Sequence, residues 1–206
     1  MSKKIRQPNL TPQAIQFSQQ LTNTGFWIDK ADELLTAADI LEGEVVQYWA
    51  EIGIKDGQVV GTPKRRNIQG PYFLLIAYSL ENYLKALLIH RNLRSLKNRL
   101  LSSLPDYIKE HNLVQLARRV NLSISVQEEE LLSRLSRNSM WAARYPVPTS
   151  PDGLAAIKEF SNGKAYLVAY FGPQDVNLIK KFTDRLQKHV MREFPNSHNK
   201  TLNPTG

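Results

Sequence analysis

A chain of 206 residues with 42% hydrophobic and 22% charged positions is long enough to bury a real core, and it reads as one domain with tails rather than two full domains. Its 27 Lys and Arg against 19 Asp and Glu give a formal charge of +8, which either favours anionic partners such as nucleic acid or is merely a solvated surface. The absence of cysteine excludes disulfides, thiolate metal sites and a cysteine nucleophile and suits a reducing cytoplasm, while no apolar run of ~20 residues and no signal-like start point to export or a membrane span.

Residues 1–10 are polar and basic and are expected to be flexible; residues 11–194 read as a single helical domain, and 195–206 as a disordered tail. Thr11-Pro12 offers a helix cap followed by the residue best tolerated at a first helical position, which predicts a short first helix. Between Asp29 and Trp49, Leu34, Ala38, Leu41, Val45 and Trp49 recur at spacings of three or four, the signature of a long amphipathic helix. Gly53 to Gly70, with Pro63 and the basic run Lys64-Arg65-Arg66, predicts a loop or small hairpin, read as a mobile surface connection.

Pro71 then opens the most apolar segment, Tyr72 to Ile89, which predicts the central helix; Glu81 and Lys85 stand on it in the i, i+4 order that lets each partly neutralise the other. The arginine-rich turn from Arg91 to Arg99 is either a solvated face or an anion site. His111-Asn112-Leu113 begins a short helix through Val120, with Asn112 as its cap and His111 in a structural role. Ser125 and Glu128 have capping-box spacing ahead of Leu131, Leu132 and Leu135. Past the prolines at 146, 148 and 151 a variable segment leads to Pro173, and Val176, Ile179, Phe182, Leu186 and Val190 define a closing helix. The whole predicts an all-α antiparallel bundle of about five or six helices.

The most distinctive run is Arg137-Asn138-Ser139-Met140-Trp141-Ala142-Ala143-Arg144-Tyr145-Pro146. On a helical wheel Arg134, Arg137, Trp141 and Arg144 fall at i, i+3, i+7 and i+10, which would set three guanidinium groups and an indole on one face. Three arginines buried without partners would be costly, so this face should meet carboxylates, meet phosphates or stay in water. Arg134, Arg137, Asn138, Trp141, Arg144 and Tyr145 are therefore the ligand-binding candidates, with Glu81, Lys85 and His111 in support. A structural account instead pairs Arg137 and Arg144 with Glu81 or the Glu128-Glu129-Glu130 cap and makes Trp141 core. Gly57-Gln58-Val59-Val60-Gly61-Thr62-Pro63-Lys64 lacks the spacing of a phosphate loop. Neither metal-ligand spacing nor a nucleophile elbow is present, so no cofactor, metal or covalent catalysis is expected.

Taken together, Tyr78-Ser79-Leu80-Glu81-Asn82-Tyr83-Leu84-Lys85-Ala86-Leu87-Leu88-Ile89, His111-Asn112-Leu113, and Arg137-Asn138 leading to Trp141 and Arg144-Tyr145-Pro146 resemble the HEPN superfamily of helical domains, over roughly Gly70 to Pro148. The resemblance implies an up-and-down bundle, often a homodimer whose arginine-bearing helix lines the dimer cleft, and a setting in bacterial defence, toxin–antitoxin systems or RNA cleavage. Active members are metal-independent endoribonucleases in which an arginine holds the scissile phosphate and a histidine four to six positions on moves the proton. Here Arg137 and Asn138 match the opening, but Trp141, Ala142 and Ala143 stand where the histidine would fall. The expected function is thus a non-catalytic module of this type that binds RNA, a nucleotide or a protein partner. The alternative is an active endoribonuclease with an atypical proton-transfer residue.

Overall fold

The Thr11 hydroxyl accepts a hydrogen bond from the Ala14 N–H at 3.2 Å and Pro12 fills the first position, so α1 (Pro12–Thr22) starts where its cap directs. The computed structural model describes residues 11–55, 58–97, 103–142, 157–159, 165–167 and 171–194. The expectations for the first ten residues and the tail lie outside them. Asn23 closes α1 and caps α2 (Thr24–Ala50), its Oδ1 accepting from the Gly25 N–H at 3.1 Å.

Along α2, Ala31, Ala38 and Val45 recur every seven residues and are fully buried. Two of the three are alanines, which lets the helix lie close against α3 (Gln69–Arg91). The Ser79 hydroxyl reaches the Ala31 carbonyl at 2.8 Å near one end of the pair, and the Trp49 and Phe73 rings lie 6.1 Å apart near the other, so the two helices run antiparallel. Between them β1 (Gly53–Lys55) and β2 (Gln58–Val60) form the small antiparallel hairpin that the sequence allowed. Its return is tied down rather than left as a loose connection. The Glu51 carboxylate accepts from the Lys64 and Arg65 N–H groups at 2.6 and 3.2 Å, and the Arg65 guanidinium meets Glu44 at 2.5 Å. Gly61 sits there at φ +106°, where a Cβ would fall 2.7 Å from the Glu51 carbonyl oxygen, so a side chain is excluded on both counts.

α3 is the axis of the bundle, and Tyr72, Phe73, Ile76, Leu80, Leu84 and Leu87 are all buried on it. Contrary to the sequence expectation, it is long and apolar enough by length and composition to cross a bilayer, but 78% of its most apolar window is buried inside the bundle. After the short α4 (Leu93–Lys97) come α5 (Leu113–Arg119) and α6 (Val126–Arg137), antiparallel to each other. The Leu113 N–H donates to Ser136 Oγ at 2.9 Å at one end, and Arg118 meets Glu129 at 2.8 Å at the other. A second hairpin, β3 (Ile157–Glu159) with β4 (Ala165–Leu167), lies in the segment before α7 (Pro173–Glu193).

The five positions expected to face inward on α7, Val176, Ile179, Phe182, Leu186 and Val190, are all buried. α7 runs parallel to α3: Phe171 stacks on Phe73 at 3.7 Å, Gln187 donates to the Tyr83 hydroxyl at 2.8 Å, and Phe194 lies edge-on to His90 at 4.5 Å. The protein is an all-α helical bundle carrying two short hairpins.

Candidate functional site

α6 begins at the expected capping box, with Ser125 Oγ accepting from the Glu128 N–H at 3.3 Å and Glu128 accepting from the Ser125 N–H at 2.8 Å. Nine residues on, Arg134 forks onto Asp175 with nitrogen–oxygen distances of 2.8 and 2.6 Å, and its guanidinium lies 5.2 Å from the centre of the Phe171 ring. Asp175 also accepts from the Gly172 N–H at 2.8 Å at the start of α7, so this pair fastens α6 to α7. Arg134, a ligand candidate by sequence, is thus engaged inside the fold.

Arg137, one turn later, differs. It is half-buried, burial pushes its guanidinium below the ordinary arginine pKa, and among the described residues no carboxylate pairs with it. Three of the four carboxylates that the structural account offered it are engaged elsewhere, Glu128 by Arg185 at 2.6 Å, Glu129 by Arg118 at 2.8 Å and Glu81 by Lys85 at 2.6 Å, and Glu130 makes no ion pair with it.

Beyond Arg137 the helix widens into a π turn, Asn138–Ala142. A π turn closes its hydrogen bonds over one more residue than an α turn, so the α-helical wheel that grouped Trp141 and Arg144 with Arg134 and Arg137 does not extend past this point. The Trp141 side chain, Arg144 and Tyr145 lie outside the described residues. Asn138 is 8% exposed and its amide nitrogen has no hydrogen-bond partner among the described residues, a buried donor that costs about 1–3 kcal/mol if nothing meets it.

The supporting residues do come together. Lys85 donates to Glu81 Oε1 at 2.6 Å, and His111 Nδ1 lies 3.0 Å from the same oxygen. The Glu81 and Lys85 side chains are 10% and 6% exposed, whereas His111 is 61% exposed. His111 is held from its own turn as well, because Glu110 Oε1 accepts from the His111 and Asn112 N–H groups at 3.0 and 2.9 Å and Asn112 in turn caps α5. The sequence gives this histidine a structural role at the start of α5 and a supporting one beside the ligand-binding candidates. The structure presents an open imidazole anchored on a buried carboxylate.

The hydrogen bond from Leu113 N–H to Ser136 Oγ seats the end of α6 against the start of α5, and α3 packs against α5, α6 and the π turn. Arg137 and Asn138 follow Ser136 directly, and His111 precedes Leu113 by two residues, so both groups border one corner of the bundle. An open groove of about 400 Å³, lined by Phe17, Phe26, Trp27 and Leu104 among others, is flanked by α1 and α2 rather than by α5 or α6. Its cation, Lys30, is already paired with Glu33. Among the described residues no group of three or more His, Cys, Asp or Glu could hold a metal ion. No family model matches this sequence, and no curated protein or solved structure is similar enough to count as a match.

Proposed function

We propose that this chain is a helical module that binds the phosphates of RNA or a nucleotide at the corner where α6 passes into the π turn. The observation that carries the reading is Arg137, a half-buried guanidinium with no carboxylate beside it among the described residues. A partly desolvated cation is unfavourable until an anion meets it, and a guanidinium matches phosphate oxygens in pairs. Arg134 supplies the contrast within one helix: fully engaged with Asp175, it has little left to offer a ligand. The buried amide of Asn138, next in sequence, is a second donor with no acceptor among the described residues. The formal charge of +8 adds long-range attraction for a polyanion.

The reading agrees with the HEPN resemblance, in which the matching arginine holds phosphate, and with the bacterial defence or toxin–antitoxin setting that it implies. The test is direct titration of single-stranded RNA into the protein at several salt concentrations. Binding should weaken steeply as salt rises, since each neutralised phosphate releases counterions. Undetectable RNA and nucleotide binding at low salt would sink the reading and leave a protein partner as the alternative.

A further inference from the structure

We propose that the seam between α2 and α7 is a binding site for a linear aliphatic polyamine, a cation, separate from the corner at Arg137 that is read as taking phosphate. Both helices pack on α3, and polar side chains bridge them. Towards one end the Lys180 ammonium meets Glu42 at 2.6 Å. Towards the other, Gln187 donates to the Tyr83 hydroxyl at 2.8 Å, and that hydroxyl donates to Asp32.

Helical spacing places the remaining groups. Lys180, Thr183, Asp184 and Gln187 follow at i, i+3, i+4 and i+7 on α7, and Asp32, Asp39 and Glu42 at i, i+7 and i+10 on α2, so each set shares a face. Because Lys180 and Gln187 both reach the seam, Thr183 between them is aimed into it. Thr183 is 4% exposed, and its hydroxyl has no hydrogen-bond partner among the described residues. A buried hydroxyl in that state favours a ligand that supplies the missing bond.

Charge selects the ligand. The carboxylates of Asp32, Asp39, Glu42 and Asp184 stand against the Lys180 ammonium, an acidic strip on a chain whose formal charge is +8. The Glu42 hydrogen bond, and then the charges of Glu42, Asp39 and Asp184, hold the Lys180 ammonium above the ordinary lysine pKa. Burial, and after it the nearby Glu42, push the Asp39 carboxyl up despite Lys180, so this one ammonium does not offset the negative charge gathered here. Lys180 also shows what the seam accepts, a primary ammonium on a flexible methylene chain. A polyamine repeats that group along its length, so it can meet Asp39 and Asp184 while one nitrogen donates to Thr183 Oγ1. A metal ion suits the seam less, because among the described residues no three carboxylates or imidazoles are arranged to hold one. The Lys180 side chain is 55% exposed, so its ion pair yields readily to an incoming ammonium.

The experiment titrates spermidine into the full chain by calorimetry and follows the melting temperature, with magnesium chloride at matched ionic strength as the control. Expected are saturable binding and a melting temperature that climbs with spermidine and not with magnesium. Asp39→Asn combined with Asp184→Asn should weaken the affinity about tenfold or more. Thr183→Val should weaken it too, while the melting temperature without spermidine holds or rises, since the hydroxyl removed has no partner among the described residues. Lys180→Met should tighten binding by removing the resident ammonium. Absence of saturable binding, equal affinity in the parent and the double variant, or magnesium matching spermidine overturns the proposal. So does Thr183→Val with parent affinity and a lower melting temperature, the outcome for a hydroxyl that serves only the fold. None of these outcomes bears on the RNA reading, which is tested at another site.

Discussion

Arg134 and Arg137 stand one turn apart on α6 and differ in what surrounds them, which makes them a matched pair for experiment. Arg134→Ala would leave Asp175 buried without its cation, an unpaired charge that costs about 3–5 kcal/mol. Chemical denaturation should show that loss. Arg137→Ala removes a partly desolvated cation that has no carboxylate partner among the described residues, so its melting temperature should hold or rise. A marked drop would mean that Arg137 organises the bundle. Glu81→Gln strands Lys85 at 6% side-chain exposure and should destabilise by a similar ~3–5 kcal/mol, with Glu81→Leu combined with Lys85→Met recovering most of it. The Glu81–Lys85 pair was legible in the sequence because i, i+4 spacing is local. Arg134 and Asp175 are 41 residues apart, and no periodicity links them.

Among the elements, the helix starts were the most readable feature, since a cap is settled within a few residues. Thr11, Asn112 and Ser125 all cap where their sequences place them. Ser125→Ala should therefore cost about 1 kcal/mol, read as a shift of the denaturation midpoint with an unchanged slope. The π turn at Asn138–Ala142 was not readable: an extra residue in a helical turn leaves no mark on polar and apolar spacing, and tertiary packing against α3 accompanies it. An α-helical wheel therefore cannot carry its register through this turn, and the Trp141 side chain and Arg144, which it grouped with Arg134 and Arg137, lie outside the described residues. The contact between His111 and Glu81 was unreadable for the opposite reason. The neighbouring cap Asn112 was plain in the sequence, but the carboxylate that anchors His111 lies 30 residues back on α3.

For the whole molecule, a central helix as apolar as α3 needs cover, which either a second copy or the rest of the bundle can supply. The bundle covers it from within, with α2, α5, α6 and α7 all packed on α3, so its apolar character gives no ground for a dimer. The homodimer remains a proposal on the strength of the HEPN resemblance, and sedimentation at micromolar concentration should show twice the mass of one chain. A monomer that still binds RNA would confine the site to one protomer. The all-α class followed from periodicity alone. The parallel course of α7 beside α3 did not, because it depends on how the chain travels between α6 and Pro173.

The claim on which the functional account turns is that Arg137 is a phosphate ligand and not a strut. It is tested most directly by RNA affinity as a function of salt for the parent chain, Arg137→Ala and Arg185→Ala, the last removing the same charge from a guanidinium paired with Glu128 at 2.6 Å. Loss of one phosphate contact should weaken binding by Arg137→Ala and flatten the slope of log affinity against log salt by about 0.7, while Arg185→Ala keeps the parent slope. Equal affinity and slope in parent and Arg137→Ala, with a lower melting temperature in the variant, would contradict the account.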